Sequence, residues 1–152
     1  MNLIRRLAER GHTLPPASPP VANYLNHTQA GELLILSGHI GTPGAASAGP
    51  VGVGLTVEAA RAEAERAALA LLASLNAAVD GDLSRIRQVL RLGVFVAAAP
   101  GFDQHGAVAD GASDLVVAVL GERGRHARAA VVVASLPAQA AVEVDALVWL
   151  QP

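Results

Sequence analysis

The alternation of apolar and polar positions divides the chain into short strands and two substantial helices. Leu3 to Arg10 has the spacing of a short helix closed by Gly11, and the run Pro15-Pro16-Ala17-Ser18-Pro19-Pro20 follows as a connector. Residues 1–20 therefore read as an addition to a main domain over 21–152. Ala22 to Thr28 and Glu32 to Ser37 form a predicted hairpin around Ala30-Gly31, its second arm carrying Leu33-Leu34-Ile35-Leu36. Ile40 to Gly54 is rich in Gly, Ala and Pro and reads as a loop, with a short strand at Val51 to Leu55. Thr56 is an N-cap, with Glu58 in the first turn, for a helix running to about Val79. In that helix Ala60, Ala64, Ala67, Ala68, Leu71, Leu72 and Leu75 recur at three- and four-residue spacing, so one face packs on a sheet.

Asp80-Gly81-Asp82 ends the helix. Ile86 to Ala98 reads as a long strand stopped by Ala99-Pro100-Gly101, and a second helix over Val108 to Leu120 is closed by Gly121 and Gly124. Two strands complete the chain on either side of Leu136-Pro137. The order β-β-(β)-α-β-α-β-β, with a hairpin at each end, predicts an α+β layer fold rather than a doubly wound one. Two helices cover one face of such a sheet and leave the other open.

At 152 residues the chain has the length of one domain with one core. Its apolar share of 52% and mean hydropathy of +0.40 are high for so small a domain, so part of the open face is expected to be covered by further copies. A net charge of −2 and few aromatics disfavour nucleic-acid binding. Cysteine is absent, which removes disulfides, thiolate metal sites and thiol nucleophiles and fits a cytoplasmic location. All eleven basic residues are arginine, so Schiff-base and P-loop lysines are absent too. The amphipathic start, Met1 to Arg10, lacks the apolar core of a signal peptide, and no apolar run reaches membrane-spanning length. The five histidines show no metal-ligand spacing, and Gly52-Val53-Gly54 lacks the strand that a dinucleotide fingerprint needs.

The candidate chemistry lies in the last thirty residues. Arg128 opens an apolar run, and Glu143 and Asp145 interrupt the next one; charge in strands costs several kcal/mol per ion unless it is paired or used. If the two strands form a hairpin in which Ala134 pairs with Ala141, Arg128, Ala130, Glu143 and Asp145 share one face. A guanidinium there binds a carboxylate ligand bidentately, and a glutamate beside it orients a water as general base. A plain cross-strand salt bridge fits the same spacing.

The run Arg128-Ala129-Ala130-Val131-Val132-Val133-Ala134-Ser135-Leu136-Pro137 with Val142-Glu143-Val144-Asp145-Ala146 resembles the closing signature of the RidA (YjgF) family, also labelled endoribonuclease L-PSP. Asn23-Tyr24, Leu36-Ser37-Gly38-His39-Ile40 and Val94-Phe95-Val96 with Phe102 match further family motifs in order, over residues 20 to 150. The resemblance implies a chorismate-mutase-like α+β subunit in a homotrimer with clefts between subunits. It implies no cofactor, and a ligand that is a small carboxylate or 2-imino acid. Arg128 would hold the carboxylate while a water positioned by Glu143 adds to the imine carbon, giving a 2-keto acid and ammonia. Tyr24, Ser37, Gly38, Phe95, Asp110 and Ala130 would line the pocket. The alternative is a non-catalytic trimer binding small carboxylates in the same clefts, while the ribonuclease label gains little from a slightly acidic, aromatic-poor chain. Two positions depart from the deaminase pattern: Ala130 stands where those enzymes carry cysteine, and Asp110 where they carry asparagine. Asp110 either caps the second helix or neutralises Arg128.

Overall fold

The computed structural model describes residues 2–152. It contains a five-stranded sheet of β1 (His27–Ala30), β2 (Leu33–Ile40), β3 (Ile86–Ala97), β4 (Ala127–Val133) and β5 (Val142–Leu150) in the order β1-β2-β5-β3-β4. β4 runs parallel to β3, and every other pair is antiparallel. Helices α2 (Val57–Ala78) and α3 (His105–Leu120) lie on one face, α2 over β2 and β5, α3 over β3 and β4. The α+β reading with two main helices on one face is therefore what the chain adopts.

Local sequence explains most boundaries. Thr56 accepts the Ala59 amide through its side chain and starts α2, whose alanine and leucine face is buried from Ala60 to Leu75. Gly31 takes φ +58° to close the β1–β2 turn. The predicted first strand over 22–28 shrinks to His27–Ala30, because residues 21–24 bend along the surface. Val51 to Leu55 makes only isolated bridges, one of them from Val51 to Ala98 beyond the end of β3. The short helix α1 (Leu3–Ala8) buries Leu3 and Leu7 and packs on α3, where the Arg6 guanidinium donates to the Val119 carbonyl at 3.0 Å. Cations at a helix C-terminus meet its unpaired carbonyls favourably.

Two expectations fail. The closing strands are not a hairpin: β3 lies between β5 and β4, so Arg128 pairs with Leu92 and Glu143 with Phe95 and Ile40. The α3 crossover returns the chain to the start of β3, which makes β4 parallel. The Pro137–Gln139 turn then steps across the end of β3, with Ala138 and Gln139 both at φ +53°. Second, α3 begins at His105 rather than Val108, so Asp110 sits in its second turn and does not cap it.

The sheet's two faces differ sharply. Along β5, Val142, Val144, Ala146, Val148 and Leu150 are buried under the helices, while Glu143, Asp145, Leu147 and Trp149 line the open face. Ile35 shares that face and is 44% exposed. No helix among the described residues is long and apolar enough to cross a membrane.

Candidate functional site

Arg128 lies on the helix side of the sheet. Its cross-strand partner Leu92 is buried under α3, and its Nη1 donates to Asp110 Oδ1 at 2.9 Å and to Ser113 Oγ at 3.0 Å, both on α3. Asp110 and Ser113 are three residues apart on one helix surface, the spacing that lets both face the same strand. Behind them, Ser113 Oγ lies 2.9 Å from His126 Nε2, and His126 Nδ1 lies 2.5 Å from the Gly124 carbonyl. A carbonyl only accepts, so Nδ1 carries a proton, and in the neutral imidazole Nε2 is then the acceptor to which Ser113 donates its hydroxyl proton. Ser113 thus offers only lone pairs to Arg128. Asp110 neutralises Arg128 rather than capping α3, and Ser113 and His126 complete a network to which the sequence motifs assign no role; its signals in the chain are His126 two residues before Arg128 and the Asp110-to-Ser113 spacing.

Glu143 occupies the opposite face. A bulge between Leu36 and His39 brings Gly38 beside it, where a built Cβ would fall 2.8 Å from Glu143 Cδ and closer to Oε1. The carboxyl therefore lies flat on glycine backbone. Burial, and then the Asp145 charge, raise its pKa above the ordinary 4.5, and among the described residues no hydrogen bond offsets them. Asp145 lies over Gly93 in the same way but is satisfied, accepting the Gly93 amide at 3.0 Å and Arg91 at 3.3 Å. Replacing Gly38 by alanine is expected to push the Glu143 carboxyl aside at little structural cost, since the obstructing atoms end a flexible side chain. Thermal melting should move by less than about 1 kcal/mol equivalent while any Glu143-dependent turnover is lost.

The remaining predicted residues divide between these places. Phe95 pairs with Glu143 on the open face. Ala130 pairs with Val94 and packs against the core on the helix side. Ser37 Oγ donates to the Leu25 carbonyl at 2.6 Å and so ties down the connector, and Tyr24, 44% exposed, lies in the bend before β1. Within one chain Arg128 and Glu143 stand roughly 10 Å apart across two strand spacings and roughly 10 Å apart along the sheet, on opposite faces. One subunit does not join them.

The bulge also turns His39 under α2. Its Nδ1 donates to the Ser37 carbonyl at 2.7 Å and its Nε2 accepts from Ser74 Oγ at 2.6 Å. Burial lowers its pKa below the ordinary 6.5, outweighing the raising effect of the Ser37 bond. A depressed histidine pKa means that the unfolded chain takes up the proton first, so stability falls as pH drops below about 6.5. His39→Gln should flatten the fall in Tm between pH 7.5 and pH 5; an unchanged slope would assign the acid lability elsewhere.

Residues 4–150 match the family model described as "YjgF/chorismate mutase-like, putative endoribonuclease". Protein TCP17 of Trypanosoma cruzi is 45% identical over 147 residues, covering 95% of this chain and 91% of that one. The crystal structure of Atu1372, a protein of unknown function from Agrobacterium tumefaciens, is 46% identical with a TM-score of 0.88, covering 98% of this chain and 92% of the other. RidA from the Antarctic bacterium Psychrobacter is 25% identical with a TM-score of 0.56, covering 88% and 94%. With its sheet order, paired helices and closing arginine and glutamate strands, the chain belongs to the YjgF/chorismate mutase-like family that includes RidA.

Proposed function

We propose that this protein hydrolyses reactive 2-imino and enamino acids to 2-keto acids and ammonia in clefts between the subunits of a homotrimer. The observation that carries this reading is Glu143: a half-buried carboxyl on an uncovered face, without a hydrogen bond among the described residues and with its pKa raised by burial and by the Asp145 charge. Glu143 takes a proton from water as the oxygen adds to the imine carbon. That proton passes to nitrogen to give a carbinolamine; Glu143 then takes the carbinolamine's hydroxyl proton and returns it to the nitrogen as the C–N bond breaks, so ammonia leaves and the C=O of the 2-keto acid forms. Arg128 anchors the substrate carboxylate. Tyr24, Ser37, Gly38, Phe95, Asp110 and Ala130 surround the cleft.

Because Arg128 and Glu143 face opposite ways, a site using both takes one from each of two copies. The surface suits such an assembly: β4 is an edge strand with Val131 45% exposed, and Ile35 and Leu147 lie on the open face. Arg128→Ala and Glu143→Gln, each inactive alone on 2-iminobutyrate generated in situ, should complement each other when refolded together. A random trimer forms about a quarter of its clefts from two intact residues, so about a quarter of wild-type activity should return. No recovery from mixed trimers would place both residues in one chain's site or in none. The pairing of Arg128 with Asp110 favours a second reading, a binding protein for small carboxylates without turnover; wild type that binds 2-ketobutyrate yet leaves 2-iminobutyrate decay at the buffer rate would establish it.

A further inference from the structure

We propose that Asp110 is the specificity-determining residue of the Arg128 site, selecting ligands that carry a cationic nitrogen beside the carboxylate. Such ligands are 2-amino acids and protonated 2-imino acids, favoured over plain carboxylates, 2-keto acids and dicarboxylates. The inference rests on Arg128 as the carboxylate anchor and assigns the ligand class that the anchor's surroundings admit.

The donors of Arg128 settle which edge is free. A guanidinium has five N–H groups. The two on Nη1 are consumed by Asp110 Oδ1 at 2.9 Å and Ser113 Oγ at 3.0 Å. Ser113 holds its place because its own proton goes to His126, whose tautomer the Gly124 carbonyl sets. Nη1 is therefore locked, and Nε with Nη2 forms the one edge that can grip a carboxylate through two parallel bonds. Beside Nη2 stands Gly106, where even a built Cβ would lie 3.7 Å away, so no side chain from that position fills the approach. The Arg128 side chain retains 25% exposure and Asp110 retains 47%, and among the described residues the Arg128 bond goes to Asp110 Oδ1, so Oδ2 can accept a second donor.

Charge then decides among ligands. Arg128 and Asp110 together are neutral, so a plain carboxylate gains the guanidinium but meets a carboxylate beside it, and a dicarboxylate meets it twice. A zwitterion satisfies both, its carboxylate on the Nε–Nη2 edge and its nitrogen on Asp110. For an imino acid the same contact favours the protonated iminium, whose carbon is the better electrophile. Hydrolysis removes the nitrogen, so the 2-keto acid loses its contact with Asp110 and is repelled by it. Asp110 would thus favour substrate over product at one anchor.

The test compares L-2-aminobutyrate, 2-hydroxybutyrate and 2-ketobutyrate, matched in size, by titration calorimetry on the full-length assembly at pH 7.5. Wild type should bind the amino acid about tenfold more tightly than the hydroxy acid, the scale of one charge-assisted bond. Asp110→Asn should erase that preference and tighten 2-hydroxybutyrate and 2-ketobutyrate severalfold, whereas Asp110→Glu should retain the preference. Equal affinities in wild type, or a preference that persists in Asp110→Asn, would overturn the selectivity while leaving the anchor intact. Binding that survives Arg128→Ala, or no binding of any of the three, would remove the anchor and the selectivity together. Melting curves of the variants exclude unfolding as the cause, since Asp110 lies at the surface of α3.

Discussion

Glu143→Gln is expected to lower 2-iminobutyrate hydrolysis about 100-fold or more, the usual contribution of a positioned base, and at the same time to stabilise the protein at neutral pH. The two effects share a cause. Burial and the Asp145 charge disfavour the ionised carboxyl, and among the described residues no donor compensates it. Its folded pKa therefore lies above the ordinary 4.5, and between those values the folded protein keeps a proton that the unfolded chain releases. Folding becomes less favourable as pH rises through that window. Glutamine has nearly the same shape and no charge, so its advantage should be present at pH 7 and vanish below about pH 4.5. Denaturant midpoints at pH 7 and pH 4, beside initial rates of 2-iminobutyrate loss, measure both. A Glu143→Gln protein that is inactive but no more stable at pH 7 would mean that assembly supplies the missing donor; one that is fully active would exclude Glu143 as the base.

Gly111→Val is expected to produce the largest loss of stability of any single substitution considered, about 3 kcal/mol or more, because it forces apart two helices that meet backbone to backbone. A Cβ built at Gly111 would lie 3.0 Å from the Arg61 carbonyl carbon and closer to its oxygen. That oxygen is in the α2 backbone and has no rotamer through which to retreat. Both helices are rich in small buried residues, Ala60, Ala64, Ala67 and Ala68 on α2 and Ala109 and Ala112 on α3, and α2 packs along α3. Separating the helices would open voids along the whole contact. A loss of this size lowers Tm by roughly 6 to 12 °C in a domain of this length. Gly106→Ala, in the first turn of the same helix, is the control: its Cβ would make only ordinary contact, and removing a glycine there should leave stability unchanged or raise it by less than about 1 kcal/mol. Loss of stability in both would point to helix distortion rather than to close approach.

The elements whose signals are local were legible in the chain. The Thr56 cap and the three- and four-residue spacing from Ala60 to Leu75 placed α2 within a residue of its ends, and Gly31 placed the first hairpin, because caps, turns and amphipathic faces are decided by near neighbours. The start of α3 was misjudged because Gly106 and Gly111 obscure its periodicity and Gln104 supplies no side-chain cap. That three-residue error kept a cap at Asp110 open as an alternative to its pairing with Arg128. The face on which Arg128 lies was not legible at all. Ala127 to Val133 has no alternation of polar and apolar residues, so either face could be inward.

By itself, then, the sequence determined the family, the helices, the strands and the pair of residues on which a functional reading rests. Only the tertiary structure decided that Arg128 and Glu143 look out from opposite faces. Chain adjacency of the last two strands favours a hairpin, but the parallel pairing of β4 with β3 joins segments separated by the whole α3 crossover. Such a contact depends on how α3 packs, with Gly111 against Arg61, and no local pattern of residues records it.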